Sequence, residues 1–335
     1  MIHDAPITAT VAITGLDCRD NPYPGIALAR SLRLDPSFQG KIIALTYDIY
    51  CSGQYRDDLF DAVYIIPYPT EPEHKLLSRI LEIHRENPIN VIFPALDSEI
   101  AVYTRLAPTL KNNGIASFLP SEASVKSRNK DNLYGTCQRL RLRTPKTMVL
   151  THLEQLDEPL PGLNYPMVIK GALAGANVIN NKDELKVYYF STLSEWGFPV
   201  LLQEKIVGEE YDVTCFANSD HELVAATAIK KFAISSRGKA SAGVIVNEPK
   251  LVELSREIIK RMEWSGACEL ELLRETATGR WFLLEINARF PAWVFHTAEA
   301  GCNMPALALR YALGIPPTSV PAAQPGYLFF RNRFG

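Results

Sequence analysis

The segment spanning residues 266–293 constrains the fold most strongly, because it reads as two β-strands joined by a turn. The first run is CELELL, the second is RWFLLEINAR, and the turn-forming letters ETATG stand between them. Side chains alternate between the two faces of a strand. This alternation predicts that Glu271 lies opposite Glu285 and that Glu269 lies opposite Asn287 on one face of a hairpin, with apolar side chains on the other.

Two carboxylates held face to face on a hairpin repel each other, because like charges directly across a strand pair are destabilising. A cation between them would remove this penalty. Carboxylate and amide oxygens suit Mg²⁺, which usually takes one or two carboxylates together with the phosphates of a nucleotide. The alternative is a solvated hairpin whose acidic residues face water, and this segment alone does not decide between the two.

Length and composition narrow the class of protein. The chain has 335 residues, of which 47% are hydrophobic and 21% charged, as is typical of a globular enzyme with two or three domains. The formal net charge of −2 gives no reason to expect a nucleic-acid partner. The six cysteines form no CxxC pair, which argues against a zinc site or disulfides and favours a cytoplasmic location. Neither a signal peptide nor a membrane-spanning run is predicted.

The first third of the chain alternates strand and helix patterns, which predicts a parallel sheet covered by helices on both faces. The predicted strands are 10–14, 41–46, 62–66 and 89–94, and the predicted helices are 24–34, 73–86 and 99–112. A nicotinamide-binding function is disfavoured, because the segment after the first strand lacks GxGxxG and carries prolines where a tight glycine turn is needed. The Walker pattern is also absent.

A pattern richer in strands begins near residue 165. The predicted strands are 165–170, 177–180, 200–207, 211–217 and 223–234, with helices over 183–189 and 249–262. Lys170 ends the first of these strands and opens onto the small-residue loop GALAGA, whose backbone N–H groups could approach a phosphate. The strand end QEKI, residues 203–206, could hydrogen-bond an adenine edge, and Glu210 could accept from ribose hydroxyls. Taken singly, each of these features is also consistent with ordinary strand ends and turns at the surface.

In this order along the chain, the features resemble the ATP-grasp superfamily, and the resemblance covers nearly the whole sequence. Its most specific part is LEINAR, residues 284–289, which is similar to the family's E-x-N-x-R signature; ALDSE (95–99), LFDAVY (59–64) and QEKIVGEE (203–210) also match in position. The chain looks most similar to carboxylate–amine ligases related to biotin carboxylase and the carbamoyl phosphate synthetase large subunit. The resemblance implies an α/β fold, α+β in its C-terminal part: a Rossmann-like pre-ATP-grasp parallel sheet followed by a two-lobed ATP-grasp fold. The implied domains are 1–118, 119–204 and 205–335.

The resemblance also implies roles at matching positions. Phosphates of ATP would be held by Lys130, Lys170 and the loop at Gly175, the adenine pocket would be lined by Gln203, Glu204, Lys205 and Ile206, and the ribose would bind Glu210. Mg²⁺, with Mn²⁺ as an alternative, would be held by Glu271, Glu285 and Asn287, and Arg289 would steady the γ-phosphate or an acyl phosphate. Lys230 and Lys231 are neighbours on a predicted strand and face opposite ways, so only one of them should reach the phosphates. The loop after Lys170 has fewer glycines than is usual in the family.

Residues for the remaining substrates are less sharply marked. Asp97 and Glu99 follow a strand at the edge where ligands gather in open α/β sheets, and could bind the amine. Glu269 is an extra carboxylate on the metal face, and serves either as a substrate contact or as support for the site. Phe290 and Trp293 suit an apolar substrate moiety or core packing, and His296 suits a general base or a structural role.

The function expected from the resemblance is an ATP-dependent ligase that forms an acyl phosphate from a carboxylate and transfers it to an amine or thiol, releasing ADP and phosphate. The substrates would be small molecules, and a homodimer is expected from the family alone. Two alternatives stay open: a subunit that forms a carboxyphosphate or acyl phosphate for a partner, and a non-catalytic ATP-binding regulator.

Overall fold

The computed structural model describes residues 6–18, 22–156, 160, 162–172, 175–234 and 240–330. Two residues of the predicted small-residue loop, Leu173 and Ala174, lie outside the described residues. None of the helices in the described part of the chain has the length and apolar character needed to cross a membrane. The described residues form three sheets that follow one another along the chain.

The first sheet is parallel, as the alternating strand and helix pattern predicts. Its four strands pair in the order β3-β2-β1-β4, and the strands are β1 (Val11–Ile13), β2 (Ile42–Thr46), β3 (Ala62–Ile65) and β4 (Val91–Phe93). The helices between and after them are α1 (Pro24–Leu34), α2 (Glu73–Glu86) and α3 (Asp97–Asn112). Three of the strands are fully buried and are apolar except for Thr46 at the end of β2, which is the pattern expected when helices cover both faces of a sheet.

Two short helices, α4 (Glu122–Ser127) and α5 (Lys130–Leu140), lead into a smaller antiparallel sheet. Its order is β5-β8-β6-β7, with β5 (Thr147–Leu150), β6 (Met167–Gly171), β7 (Ala176–Ile179) and β8 (Val200–Glu204). Helix α6 (Lys182–Trp196) packs on β6 and buries Tyr189 against Ile169 and Leu202. Short 3₁₀ turns occupy Ser52–Tyr55 and Leu153–Leu156.

The third sheet has six strands in the order β13-β12-β9-β10-β11-β14. They are β9 (Gly208–Ala217), β10 (Leu223–Ile234), β11 (Ala240–Val246), β12 (Gly266–Glu275), β13 (Trp281–Asn287) and β14 (Leu328–Phe330), accompanied by α7 (Pro249–Arg261), α8 (Phe295–Glu299) and α9 (Met304–Ala312). The predicted hairpin register is confirmed, because Glu271 pairs with Glu285 and Glu269 with Asn287. The predicted strand 200–207 is too long: β8 ends at Glu204, since residues 205–207 cross from the second sheet to the third.

Helix α1 ties the first sheet to the third. Its apolar side chains join a core with residues of α9, and Asn303 donates to the backbone oxygen of Ser31 at 2.7 Å. Arg310 of α9 forms a half-buried ion pair with Asp35 at 3.0 Å. Helix α1 also packs against α8, where the guanidinium of Arg30 lies over the Phe295 ring. The domain boundaries at 118/119 and 204/205 stay predictions.

Candidate active site

A cavity of about 1290 Å³ is lined by residues of the second and third sheets and by residues of α1 and α3, the helices that flank the first sheet. Lys170 of β6 enters it from the second sheet, Glu271 and Glu285 enter from the hairpin of the third sheet, and Asp97 enters from the start of α3. His296 of α8 lies at another part of the same wall. The residues predicted from separate sequence motifs therefore meet in one space.

A row of carboxylates crosses the third sheet on the side facing the cavity. Asp212 of β9, Glu271 of β12 and Glu285 of β13 stand in register on three adjacent strands. Asn287, two residues beyond Glu285, donates from Nδ2 to Glu271 at 3.0 Å and to Glu269 at 3.2 Å. Since its amide nitrogen is used in this way, the Oδ1 atom of Asn287 is the one suited to a cation.

Lys231 lies among these carboxylates. Its Nζ is 2.9 Å from Asp212 and 3.3 Å from each of Glu271 and Glu210, and its side chain is 1% exposed. Burial alone would lower the pKa of Lys231, but Glu271, Asp212 and Glu210 outweigh it and raise the pKa well above the ordinary value. Burial would likewise raise the pKa of Glu271, but Lys231 and Asn287 outweigh it and lower the pKa. The arrangement therefore keeps both groups charged.

Two further lysines approach from the other side of the cavity. Lys130, the first residue of α5, places Nζ 3.2 Å from Glu285 Oε2. Burial raises the pKa of Glu285, and Lys130 partly offsets this rise. Lys170 is buried, and burial lowers its pKa while Glu285 opposes the change. The space between these two lysines and the carboxylate row is therefore bordered by positive charge on one side and by acid groups on the other.

The strand end predicted to bind adenine forms another wall of the cavity. Gln203, Glu204, Lys205 and Ile206 line it together with Val168 and Leu273, and Gly175 borders it where the loop returns. The side chain of Gln203 is occupied inside the sheet, because its Nε2 donates to Thr147 Oγ1 at 2.9 Å. Glu204 Oε2 accepts from the backbone N–H of Lys146 at 3.2 Å. This wall combines apolar side chains with polar backbone, which suits a flat heterocycle.

The residues around Glu271 fit a divalent cation of the Mg²⁺ class by their chemistry. Glu271, Glu285 and the Oδ1 of Asn287 supply only oxygen, on adjacent strands facing one space. No group of three or more aspartate, glutamate, histidine or cysteine side chains arranged to hold a metal is found among the described residues. The predicted set therefore consists of two carboxylates and one amide.

Arg289 is held from two sides. Its Nε lies 2.9 Å from Asp97 Oδ2, and its Nη1 lies 2.7 Å from Glu269 Oε2. Asp97 also pairs with Arg128 at 3.0 Å, and Glu269 also accepts from Trp293 Nε1 at 2.9 Å. Burial would lower the pKa of Arg289, but Asp97 and Glu269 raise it. A fixed guanidinium with this orientation can bind a phosphoryl or carboxylate oxygen at the cavity wall.

Three predicted site residues lie elsewhere, and each is a correction. Lys230 points to the opposite face of β10 and pairs with exposed Glu209 at 2.5 Å, because neighbouring residues on a strand alternate. Glu99 is fully buried and does not line the cavity; it accepts hydrogen bonds from Thr14, from Tyr47 and from the backbone N–H groups at the start of α3.

Phe290 is the third correction. It is 4% exposed and packs in the core with α1 and α9, because the chain leaves the strand after Asn287 and turns inward. Trp293 and His296, by contrast, do line the cavity.

Three cavity residues were missed by the sequence reasoning. Asp212 interrupts the apolar strand YDVTCFA, and a charged residue inside such a strand was a usable signal. Arg128 stands two residues before Lys130, and its position at the cavity depends on its ion pair with Asp97, which belongs to another element. Arg30 of α1 lies at the cavity wall with its guanidinium 3.8 Å from the centre of the Phe295 ring, a contact between distant parts of the chain.

Comparison with known proteins gives one family and a set of distant relatives. The family model described as "ATP-grasp in the biosynthetic pathway with Ter operon" matches residues 198–330. The carbamoyl phosphate synthase large chain of Pseudarthrobacter chlorophenolicus is 23% identical over 290 residues, covering 78% of this chain and 25% of that protein. The large chain from Paenarthrobacter aurescens matches with the same values. The chain thus spans about a quarter of the length of these relatives.

Solved structures resemble the fold over most of its length. L-amino acid ligase from Bacillus licheniformis has a TM-score of 0.69 at 17% identity, covering 91% of this chain and 74% of that chain. Biotin carboxylase from Campylobacter jejuni has a TM-score of 0.71 at 16% identity, covering 93% and 72%. N5-carboxyaminoimidazole synthetase from Staphylococcus aureus has a TM-score of 0.70 at 14% identity, covering 96% and 82%. Together, these findings show that the chain has the fold of the ATP-grasp structures and that residues 198–330, which include the strand end carrying Glu285 and Asn287, match an ATP-grasp family.

Proposed function

We propose that this chain is an ATP-dependent ligase that activates a carboxylate as an acyl phosphate, releases ADP and joins the acyl group to an amine or thiol. The observation that carries the proposal is the convergence of Lys130, Lys170, Arg289 and the oxygen-bearing hairpin on one cavity, with Lys231 buried directly behind the hairpin carboxylate Glu271. The structures that share this fold include an L-amino acid ligase and N5-carboxyaminoimidazole synthetase, which agrees with this chemistry.

Each part of the cavity suits one part of ATP. The wall formed by Ile206, Val168 and Leu273 would take the adenine ring, and Glu210 would accept from the ribose hydroxyls. Lys130 and Lys170 would neutralise the phosphates, since both approach the cavity from the side opposite the carboxylate row. Lys231, whose Nζ is held by three acid side chains, would supply positive charge beneath the phosphates.

Catalysis in such a site consists mainly of positioning and neutralising charge, because phosphoryl transfer needs no covalent nucleophile from the protein. Glu271, Glu285 and Asn287 would hold Mg²⁺, whose role when bound is to neutralise phosphate oxygens. Arg289 would orient the substrate carboxylate beside the γ-phosphate, because Asp97 and Glu269 fix its guanidinium at the cavity wall. The carboxylate oxygen attacks phosphorus, ADP leaves, and the nucleophile then displaces phosphate from the acyl carbon.

The test is ADP release from Mg²⁺-ATP in the presence of pooled carboxylates, with hydroxylamine added to trap the acyl phosphate as a hydroxamate. The wild-type protein should give carboxylate-dependent ADP and hydroxamate. Glu285→Gln should reduce both by about 10²-fold or more, because one of the two carboxylates that would hold Mg²⁺ at the phosphates is lost. Glu209→Gln is the matched control. Glu209 is a strand carboxylate of β9 that does not line the cavity and pairs with Lys230 outside it.

The outcomes separate the proposal from its rivals. Hydroxamate without amide or thioester for any acceptor would indicate a subunit that forms the acyl phosphate for a partner. ATP binding without ADP release from any carboxylate would favour a regulator. Full activity in Glu285→Gln would remove Glu285 from the site.

A further inference from the structure

The end of the cavity near α8 contains a histidine–glutamate pair that the nucleotide chemistry does not use. His296 and Glu299 both line the cavity, and His296 Nδ1 lies 2.9 Å from Glu299 Oε2. An ionised carboxylate can only accept a hydrogen bond, so Nδ1 carries the proton in this pair. The lone pair of the neutral imidazole is then on Nε2.

Aromatic neighbours fix the plane of this imidazole. The ring stacks on Phe329 with a centroid distance of 5.1 Å and an interplanar angle of 25°, and it meets Phe295 edge-on at 6.2 Å. Phe329 is itself 3% exposed, so the stacking partner is held by the core. Within the described ranges, Nε2 of His296 takes part in no hydrogen bond, which leaves it for a group inside the cavity.

The charged groups facing His296 come from two elements. Glu299 lies on the same helix as His296, and Arg30 comes from α1. The described strand β14, Leu328–Phe330, has no charged side chain and contacts the imidazole through the Phe329 ring. Burial lowers the pKa of His296, Glu299 opposes this, and Arg30 lowers it further. The imidazole is therefore neutral at pH 7, which is the state a proton acceptor needs.

A short chain of contacts connects this pair to the phosphate end of the cavity. Trp293 stacks on Phe329 at 6.2 Å and donates to Glu269, which in turn holds Arg289. The histidine and Arg289 thus belong to one wall, separated by the indole of Trp293. A substrate whose acyl group is at Arg289 would have its acceptor on the α8 side.

We propose that His296 is the general base that deprotonates the amine substrate, and that Glu299 is the positioning residue that holds its tautomer and orientation. This inference rests on the proposed function. A primary amine is protonated at neutral pH and cannot attack. One N–H bond of the ammonium breaks, its electron pair stays on nitrogen, and the proton moves to Nε2. The nitrogen then attacks the acyl carbon, the bond from that carbon to the phosphate oxygen breaks, and phosphate leaves with the electron pair. The second proton on nitrogen leaves to phosphate or solvent, and the imidazolium returns its proton to solvent.

The experiment compares two nucleophiles in wild type, His296→Gln and Glu299→Gln, once a carboxylate has been identified by the hydroxamate assay. Hydroxylamine is largely uncharged at neutral pH and needs no base. The amine panel consists of the twenty common amino acids and putrescine, whose amino groups are protonated at this pH. We expect hydroxamate formation within about twofold of wild type in both variants, and amide formation lower by about 10²–10⁴-fold in His296→Gln. Glu299→Gln should show a smaller loss of the same kind. His152→Gln, an exposed histidine away from the cavity, is the control.

The pH profile supplies a readout that a structural role would not move. Wild-type amide formation should reach a plateau above the pKa of His296, whereas the His296→Gln rate should keep rising about tenfold per pH unit toward the pKa of the amine itself. Equal loss of hydroxamate and amide, or an unchanged pH profile, would overturn the inference, as would wild-type hydroxamate without amide from any amine in the panel. No hydroxamate from the wild type would instead remove the proposed function, and this inference with it.

Discussion

Two clusters of buried acid groups in this molecule are held in opposite ways. At the edge of the first sheet, Glu99 is surrounded by neutral donors: the hydroxyls of Thr14 and Tyr47 and two backbone N–H groups. In the third sheet, Glu210, Asp212 and Glu271 are gathered around one ammonium group, that of Lys231. We call these the Glu99 cluster and the Lys231 cluster.

The difference separates a structural carboxyl from a site. Neutral donors satisfy the oxygens of Glu99 without adding charge, and burial raises its pKa, so the cluster needs nothing more. Three acid groups around one ammonium exceed its single positive charge, even though burial raises the pKa of Asp212, and this cluster borders the cavity through Glu210, Asp212 and Glu271. Such an excess is unfavourable in a closed interior but useful where a cation is to be bound. The chemistry of the donors therefore predicts which buried acid has a function.

The largest expected effect comes from removing the cation of the Lys231 cluster. Lys231→Met leaves three carboxylates without their shared partner, so we expect the free energy of unfolding to fall by about 3–5 kcal/mol. Loss of positive charge beneath the phosphates should also reduce ATP-dependent hydroxamate formation by about 10²-fold or more. Chemical denaturation and the hydroxamate assay measure the two effects.

Lys230→Met is the matched control, since Lys230 is the adjacent residue on the other face of β10. Its ion pair with Glu209 is exposed, and such pairs contribute about 0–1 kcal/mol. Similar losses in both variants would show that the two faces of this strand do not differ in function. An active, stable Lys231→Met protein would remove the distinction drawn between the clusters.

The sequence predicted the parts of this arrangement that depend on local pattern. The turn ETATG and strict alternation were enough to predict that Glu271 faces Glu285. The choice between Lys230 and Lys231 could not be made, because alternation separates their faces without saying which face of the sheet borders the cavity. That choice depends on how the third sheet packs against the rest of the chain, which is a long-range property.

Glu99 was misjudged although a local signal existed. It stands at the third position of α3, and its carboxyl accepts from the N–H groups of Ala95 and Leu96 at 3.0 Å. A glutamate three residues into a helix commonly turns back to the helix start in this way. Arg30 differs, because its position in the cavity follows from its contact with Phe295, which is distant in sequence.

A smaller effect is expected from Asp212→Asn, which removes one of the three acid groups around Lys231 and keeps the shape of the side chain. Lys231 would then be held by Glu271 and Glu210 alone, at 3.3 Å each. We expect the affinity for Mg²⁺-ATP to fall about tenfold, corresponding to about 1.4 kcal/mol, because the ammonium is less firmly placed. Titration calorimetry measures this, with Asp220→Asn in the turn between β9 and β10 as the control. Unchanged affinity would mean that Asp212 does not position Lys231.

The smallest effect, and the one that tests the Glu99 cluster itself, is expected from Glu99→Gln. Burial raises the pKa of Glu99 above that of an unfolded carboxyl, although its hydrogen bonds oppose the rise. Between the two pKa values the folded protein binds more protons than the unfolded chain, so the contribution of Glu99 to the free energy of unfolding falls as pH increases. Glutamine resembles the protonated carboxyl and does not titrate. The free energy of unfolding of Glu99→Gln should therefore equal that of wild type at about pH 4 and exceed it by about 1 kcal/mol at about pH 8.

Denaturation of both proteins at several pH values measures this difference in the free energy of unfolding. Hydroxamate formation by Glu99→Gln should stay within about twofold of wild type, since a residue outside the cavity contributes little to the chemistry. If wild type instead gains stability over Glu99→Gln as pH rises, the carboxyl is ionised in the folded protein and its four hydrogen bonds outweigh burial. Neutral donors would then hold a charge as effectively as Lys231 does, and the chemistry of the donors would no longer distinguish the two clusters. The excess of carboxylates facing the cavity would remain as the feature that marks the Lys231 cluster as a site.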